Sequence, residues 1–329
     1  MSNDPILKSH WERYKAHVSL DLVTAQKLIA PYSTEAITEL QWLSEGCANT
    51  NYKITFDNQK SVVLRIYTRE KSALAREAAL HRLLKGTIPV PQVLYTHQDE
   101  HLFEYPYAIM EWMDGQLMRN ILLSKDNVAI QECAFDAGRY LNRLRQITFT
   151  EGGFFQEQLN IRPFSTEEMY QPFALGLLKE KNVQASLGAS LHKSVTTWFQ
   201  NHCSDLPLEH EANLTHGDFD PANMLVTQMN GQWKITAILD WEFAFAGSFF
   251  LDAGQFLRYA HKLPSCYRDG FVSGMQSEGY RLPKHWELQA KLMDLLCLLQ
   301  LLHYNPLESR PNLNRDVVAL IEHTVSSNK

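Results

Sequence analysis

Apolar and polar residues alternate with a period near two through much of the stretch from Ala36 to Tyr67. AITELQWL, NYKITF and SVVLRIY are three strand-like runs, and Asp57-Asn58 between the second and third predicts a hairpin. The period then changes. REKSALAREAALHRLLKG puts Leu74, Ala78, His81 and Leu84 on one helical face and stops at Gly86. Pro89 and Pro91 interrupt the chain, PQVLYTH and YPYAIMEW read as two more short strands, and Met113-Asp114-Gly115 reads as a turn. Five strands with one helix make a small α+β unit ending near residue 110.

Beyond Gly115 the pattern is helical. In NVAIQECAFDAGRYLNRLRQI the residues Ile130, Cys133, Ala134, Ala137, Leu141 and Leu144 follow the i, i+3, i+4, i+7 spacing of a buried helical face. ANMLVT and WKITAILD then break in as strands around QMNG, whose Asn230-Gly231 is a strong hairpin signal. Further helices are predicted at 250–261, 266–279, 285–304 and 313–327, punctuated by Pro264, Pro283, Pro306 and Pro311. Glu287, Lys291 and Asp294 share a polar face opposite a leucine run and are expected to face solvent.

Composition narrows the classes. The chain has 329 residues, 45% hydrophobic and 21% charged, enough apolar material for a sizeable core and no bias toward disorder or coiled coil. A net charge of -6 argues against a partner bound through phosphate neutralisation, so no nucleic acid is expected. The excess acid falls after residue 107, which favours a cationic, amine-bearing acceptor there, although an ordinary solvated surface carries as much. Cys47, Cys133, Cys203, Cys266 and Cys297 form no C-x-x-C pair and read as reduced thiols. The amino-terminal residues lack the apolar stretch of a secretory signal, and Leu295 to Leu302 is far below the roughly 20 residues a bilayer span needs. A cytoplasmic protein with no membrane partner is expected.

The densest chemistry lies in LTHGDFDPANMLVTQMNGQWKITAILDWE. Asp218 stands five residues ahead of Asn223, and the hairpin delivers a second carboxylate, Asp240. Mg-dependent phosphoryl transfer needs one group for a hydroxyl proton and hard oxygen ligands for the metal, and this set supplies both. Asp220, before a proline, reads as a turn residue.

These residues resemble the aminoglycoside phosphotransferase-like kinases, relatives of the protein kinases. The family's H-G-D-x-x-x-x-N loop matches His216-Gly217-Asp218 to Asn223, its I-D-W motif matches Leu239-Asp240-Trp241, and its G-x-x-x-x-D segment matches Gly247 to Asp252. The resemblance implies a two-lobe protein-kinase-like α+β fold, with a small five-stranded antiparallel sheet in the first lobe and a mostly helical second lobe. Residues 1–110 would bind nucleotide, 111–115 form the hinge and 116–329 carry the catalytic loop and acceptor pocket, shaped by the helices from about 265 to 304.

The same resemblance implies the roles. Asp218 would accept or orient the hydroxyl proton, and Asn223 and Asp240 would hold Mg2+. Ser44, Gly46 and Asn49 of LSEGCANTNYKI would approach the ATP phosphates. Arg65 in VVLRIY would take the place of the family's phosphate-binding Lys, with Glu77 as its acidic partner. The backbones of Glu111 and Met113 would meet the adenine edge, with Met110 behind the base. Asp252 would support the loop, as would a structural His216, and Cys47 is read as a loop filler. No D-F-G or A-P-E surrounds Asp240, so ATP would donate to a small hydroxylated molecule. A protein Ser/Thr kinase and a nucleotide-binding module without turnover stand as alternatives. Nothing in the sequence fixes the acceptor, the choice of ATP over GTP or the oligomeric state.

Overall fold

A computed structural model describes residues 7, 8, 10–12, 17–43, 49–99, 102–124 and 126–326. Five strands, β1 (Ile37–Leu43), β2 (Thr50–Phe56), β3 (Ser61–Ile66), β4 (Val93–His97) and β5 (Tyr107–Glu111), form one antiparallel sheet in the order β1-β2-β3-β5-β4. Alternation sets what each face does. Tyr52, Ile54, Phe56, Val62, Leu64 and Ile66 pack on Leu28 and Ile29 of a helix α1 (Leu22–Ile29). The opposite side of β3 turns Val63 and Arg65 toward a second helix, α2 (Ala73–Leu84), and toward a cleft.

The sequence predicts one helix here, and the described residues hold two. The eight residues of α1 span barely two turns and include β-branched Val23 and Thr24, so no helical period stands out. Asp21 caps the helix, accepting from the Thr24 N–H. In α2 the expected face of Leu74, Ala78, His81 and Leu84 is buried, and Gly86, with φ of +81°, follows the helix end. At the β2–β3 hairpin it is Gln59 that adopts the left-handed conformation, while Asn58 accepts from the Lys60 N–H.

The rest of the chain is mainly helical, with two small sheets. After β6 (Gln116–Leu117) come α3 (Met118–Ser124), α4 (Asn127–Gln146), β7 (Gly153–Phe155), β8 (Ile161–Pro163), α5 (Tyr170–Leu177) and α6 (Lys181–His202). Then follow β9 (Asn213–Thr215), β10 (Met224–Met229), β11 (Gln232–Ile238), β12 (Phe245–Gly247), α7 (Phe250–Leu257), α8 (Ser265–Gln276), α9 (Trp286–Tyr304) and α10 (Pro311–Ser326). The β10–β11 hairpin turns through Asn230 and Gly231, both with positive φ, and pairs with β6. β7, β8, β9 and β12 form a four-stranded sheet of three-residue strands, too short for alternation to announce them.

The face expected of α4 is buried throughout. This helix lies backbone to backbone against α8: a Cβ on Gly138 would sit 2.1 Å from the Phe271 carbonyl oxygen, and one on Gly274 1.9 Å from that of Phe135. The polar face expected on α9 is not a solvent face. Glu287 and Lys291 are half-buried, whereas Asp294 is buried and ion-paired with Arg258, one residue past the end of α7. With Leu292, Met293, Leu295 and Leu296 buried around it, α9 is enclosed nearly all round, and a charge there needs a partner. No helix among the described residues is long and apolar enough to cross a membrane.

Candidate active site

The central loop leaves β9 at Thr215 and runs through His216, Gly217 and Asp218. Gly217 has φ of +81°, and a Cβ there would lie 2.4 Å from the Phe243 carbonyl oxygen, so only glycine fits. Asp252, in the first turn of α7, accepts from the N–H groups of His216 at 2.7 Å and Gly217 at 2.9 Å. Complete burial pushes its carboxyl up to about 7, against the opposing pull of those two N–H groups. Gln255 completes the support, accepting from the Phe219 N–H and donating to the Gly217 carbonyl. His216 is fully buried, its Nε2 donating to the Leu239 carbonyl and its Nδ1 accepting from the Asp218 N–H. Burial holds its pKa below the usual histidine value, so both ring nitrogens of a neutral imidazole serve the loop.

Asn223 ends a single 3-10 turn, Pro221–Asn223, capped by the Asp220 side chain. Its amide nitrogen donates to the Asp218 carbonyl at 3.0 Å and to Asp218 Oδ2 at 2.8 Å, which turns its own oxygen away from that carboxylate. Asp240 stands two residues past the end of β11, in a left-handed conformation with φ of 65° and ψ of 63° that is strained for a non-glycine residue. Arg65 reaches both sides of the cleft. Its Nε donates to Glu77 Oε2 at 3.1 Å and its Nη2 to Asp240 Oδ1 at 2.6 Å. Tyr67 also donates to Glu77, fixing that carboxylate.

A cavity of about 440 Å³ opens beside this group. Met110, Glu111 and Met113 line it with Val63, Leu117, Leu225 and Leu239, and Arg65, Glu77, Asn223 and Asp240 form its polar end. The Glu111 N–H donates to the Gln92 carbonyl at 2.8 Å, which leaves only its carbonyl side for a ligand. Among the described residues no group of three or more His, Cys, Asp and Glu side chains is placed to hold a metal. Asp240 and Asn223 supply two hard oxygen donors, the pattern that suits Mg2+ when phosphate oxygens complete its shell.

The structure thus brings together Asp218, Asn223, Asp240, Arg65, Glu77, Met110, Glu111 and Met113. Ser44, Gly46 and Cys47 lie outside the described residues. Asn49 does not line the cavity: its buried amide donates to Glu242 Oε2 at 2.7 Å and accepts from the Thr68 N–H. Nothing in the local sequence distinguishes Glu242, which is one acid among many there. Burial pushes its carboxyl up to about 8, helped by nearby Asp240 and opposed by Arg65 and Arg69. A carboxyl whose pKa rises on folding stabilises the fold fully below the unfolded value near 4.5, and that contribution is lost as pH rises toward 8. The melting temperature should therefore fall from pH 5 to pH 8.5, and fall less in Glu242→Gln. Equal slopes for the two proteins in thermal melts would show that Glu242 is not held protonated.

Residues 39–286 match the phosphotransferase enzyme family. A curated relative is acyl-CoA dehydrogenase family member 10 of Mus musculus, 22% identical over 247 residues, a match covering 73% of this chain and 22% of that protein. The chain therefore spans about a fifth of that relative's length. Among solved structures, aminoglycoside 2'-phosphotransferase-IIIa in its GDP complex superposes with a TM-score of 0.72 at 16% identity, over 94% of this chain and all of that one. Aminoglycoside phosphotransferase APH(4)-Ia gives 0.69 at 16% identity, over 94% and 100%. A ternary complex of the latter with AMP-PNP and hygromycin B gives 0.67 at 17% identity, over 92% and 97%. The architecture, a five-stranded antiparallel sheet followed by a helical region, is shared with these kinase-like structures.

Proposed function

The chain belongs to the phosphotransferase enzyme family, and from that premise we propose that it moves the γ-phosphoryl group of ATP, with Mg2+, to a hydroxyl of a small, amine-bearing molecule. The observation that carries this reading is the convergence of Arg65, Glu77, Asn223 and Asp240 at the polar end of the cavity, next to Asp218. Adenine would lie against Val63 and Met110, meeting the Glu111 carbonyl and the Met113 backbone. We read residues 111–115 as the hinge between a nucleotide lobe, 1–110, and a catalytic lobe, 116–329.

Arg65 is held at Nε by Glu77, so its outer N–H groups, now on Asp240, are the ones that would turn to phosphate oxygens. Asp240 and the Asn223 amide oxygen would hold Mg2+, which when bound neutralises charge on the phosphates. Asp218 would accept or orient the acceptor's hydroxyl proton, its carboxylate fixed by Asn223 from one side. Burial raises the Asp218 pKa, and the Lys8 ammonium with the Asn223 amide reverses that and holds it low, so the group is an ionised acceptor at neutral pH. The acid beside it, Asp220, favours a cationic acceptor. Hygromycin B and kanamycin, bound in two of the similar structures, are consistent with a small hydroxylated amine.

The test is ADP release from Mg-ATP by the purified chain against pools of aminoglycosides, amino alcohols, sugars and nucleosides. At least one amine-bearing pool should stimulate release. ATP binding without stimulation by any pool would overturn the reading.

A further inference from the structure

The carboxylates of the catalytic loop are covered by the chain itself. Lys8 places its Nζ 2.6 Å from Asp218 Oδ1 and 3.3 Å from Asp220 Oδ2, with its side chain only 13% exposed. Asp218 Oδ2 is already held by Asn223, so each carboxylate oxygen has a partner within the chain, and the side chain is left 25% exposed. Asp220 is wholly buried, and its Oδ2 accepts no hydrogen bond among the described residues; the Lys8 ammonium is the charge set against it.

The described residues on either side of Lys8 are anchored on both sides of the cleft. Leu7 is fully buried in the main core. Trp11 donates from Nε1 to Asp316 of α10 at 3.0 Å. The Glu12 carboxylate accepts from the N–H groups of Asn312 and Leu313 in the first turn of α10, and Arg310 donates to the Glu12 carbonyl. Farther on, Val18 and Leu20 are tied to Thr50 and Tyr52 of β2, and the His17 ring stacks on Trp42, which lines the nucleotide cavity.

We propose that this segment is a built-in occupant of the acceptor site, with the Lys8 ammonium standing where a cationic group of the acceptor binds, so that transfer requires an amine-bearing acceptor to displace it. The proposal rests on the phosphotransferase reading of the cleft. Its physical basis is exchange of like for like. Withdrawing Lys8 leaves the buried Asp220 without a counter-charge and Asp218 with Asn223 alone, a cost that an incoming ammonium removes and a neutral hydroxyl compound does not. The segment therefore acts as a filter on acceptor charge and as a brake on transfer to water.

Two readouts on the full chain test it. Acetic anhydride labelling followed by mass spectrometry compares Lys8 with Lys193, an exposed lysine of α6. Acceptor-free hydrolysis of Mg-ATP is measured in the wild type, in Lys8→Met, in Trp11→Ala, which removes the hydrogen bond to Asp316 three residues from Lys8, and in Lys8→Met with Asp218→Asn. Lys8 should label at least tenfold more slowly than Lys193. Both single variants should hydrolyse ATP at least fivefold faster than the wild type, and Asp218→Asn should remove the gain. Labelling of Lys8 as fast as Lys193 overturns the proposal, as does a Lys8→Met rate equal to wild type that still depends on Asp218. One common rate in all four proteins, indifferent to Asp218, sinks the kinase reading and the brake together.

Discussion

Asp218→Asn should lower acceptor-dependent turnover by about 10²- to 10⁴-fold, the usual range for removing a positioned proton acceptor. Asparagine keeps the size of the side chain and an oxygen for the Asn223 amide, so the loop has no steric reason to move. What it loses is the charge that receives a proton. Asp218 does not line the proposed nucleotide cavity, so ATP affinity should stay within about threefold while kcat falls, a split that separates catalysis from binding. Single-turnover kinetics with a titration of ATP would measure both. A variant retaining more than a tenth of wild-type kcat would remove Asp218 from the chemistry.

Asp294→Ala should be the most damaging change to stability, at about 3–5 kcal/mol, the usual cost of removing one partner of a buried ion pair. The Arg258 guanidinium is buried, and its Nε donates to both Asp294 oxygens, at 3.0 and 3.2 Å. Without Asp294 that cation has no route to water, since α7 and α9 touch through backbone: a Cβ on Gly254 would sit 2.2 Å from the Ala290 carbonyl oxygen. Replacing both residues, as Arg258→Leu with Asp294→Leu, removes the charge together with its counter-charge and should recover most of the loss. Urea unfolding of Arg258→Leu, Asp294→Leu and the double closes the cycle. If the double loses as much as the two singles summed, the pair is not coupled and the account fails.

How legible the molecule was from sequence depended on the distance over which each interaction is encoded. The family resemblance rested on short motifs whose spacing is local, His216-Gly217-Asp218 to Asn223 and Leu239-Asp240-Trp241, and the match over residues 39–286 bears it out. Long periodic elements such as α4 and the β10–β11 hairpin stand where the pattern put them, because twenty residues of helix or an Asn-Gly turn carry their own signal. The two-turn α1 and the three-residue strands are held by tertiary contacts, and no period survives at that length. Asp294 is a different failure. A charge opposite a leucine run reads as a solvent face unless its partner is known, and Arg258 is thirty-six residues away in sequence. Lys8 meets Asp218 across 210 positions, and Glu242 meets Asn49 across 193, so neither pairing leaves a trace in the local pattern.

The contact of α4 with α8 bears on how the protein tolerates change. At Gly138 and Gly274 each helix presses on the other's carbonyl groups, so every replacement at either position, alanine included, must push two backbones apart rather than reorient a side chain. Neighbouring buried positions such as Cys133 or Leu141 can exchange one apolar group for another and repack. The α4–α8 contact is thus brittle at these two points, which touch none of the proposed active-site residues, and a screen scoring only lost activity would count them among the catalytic residues.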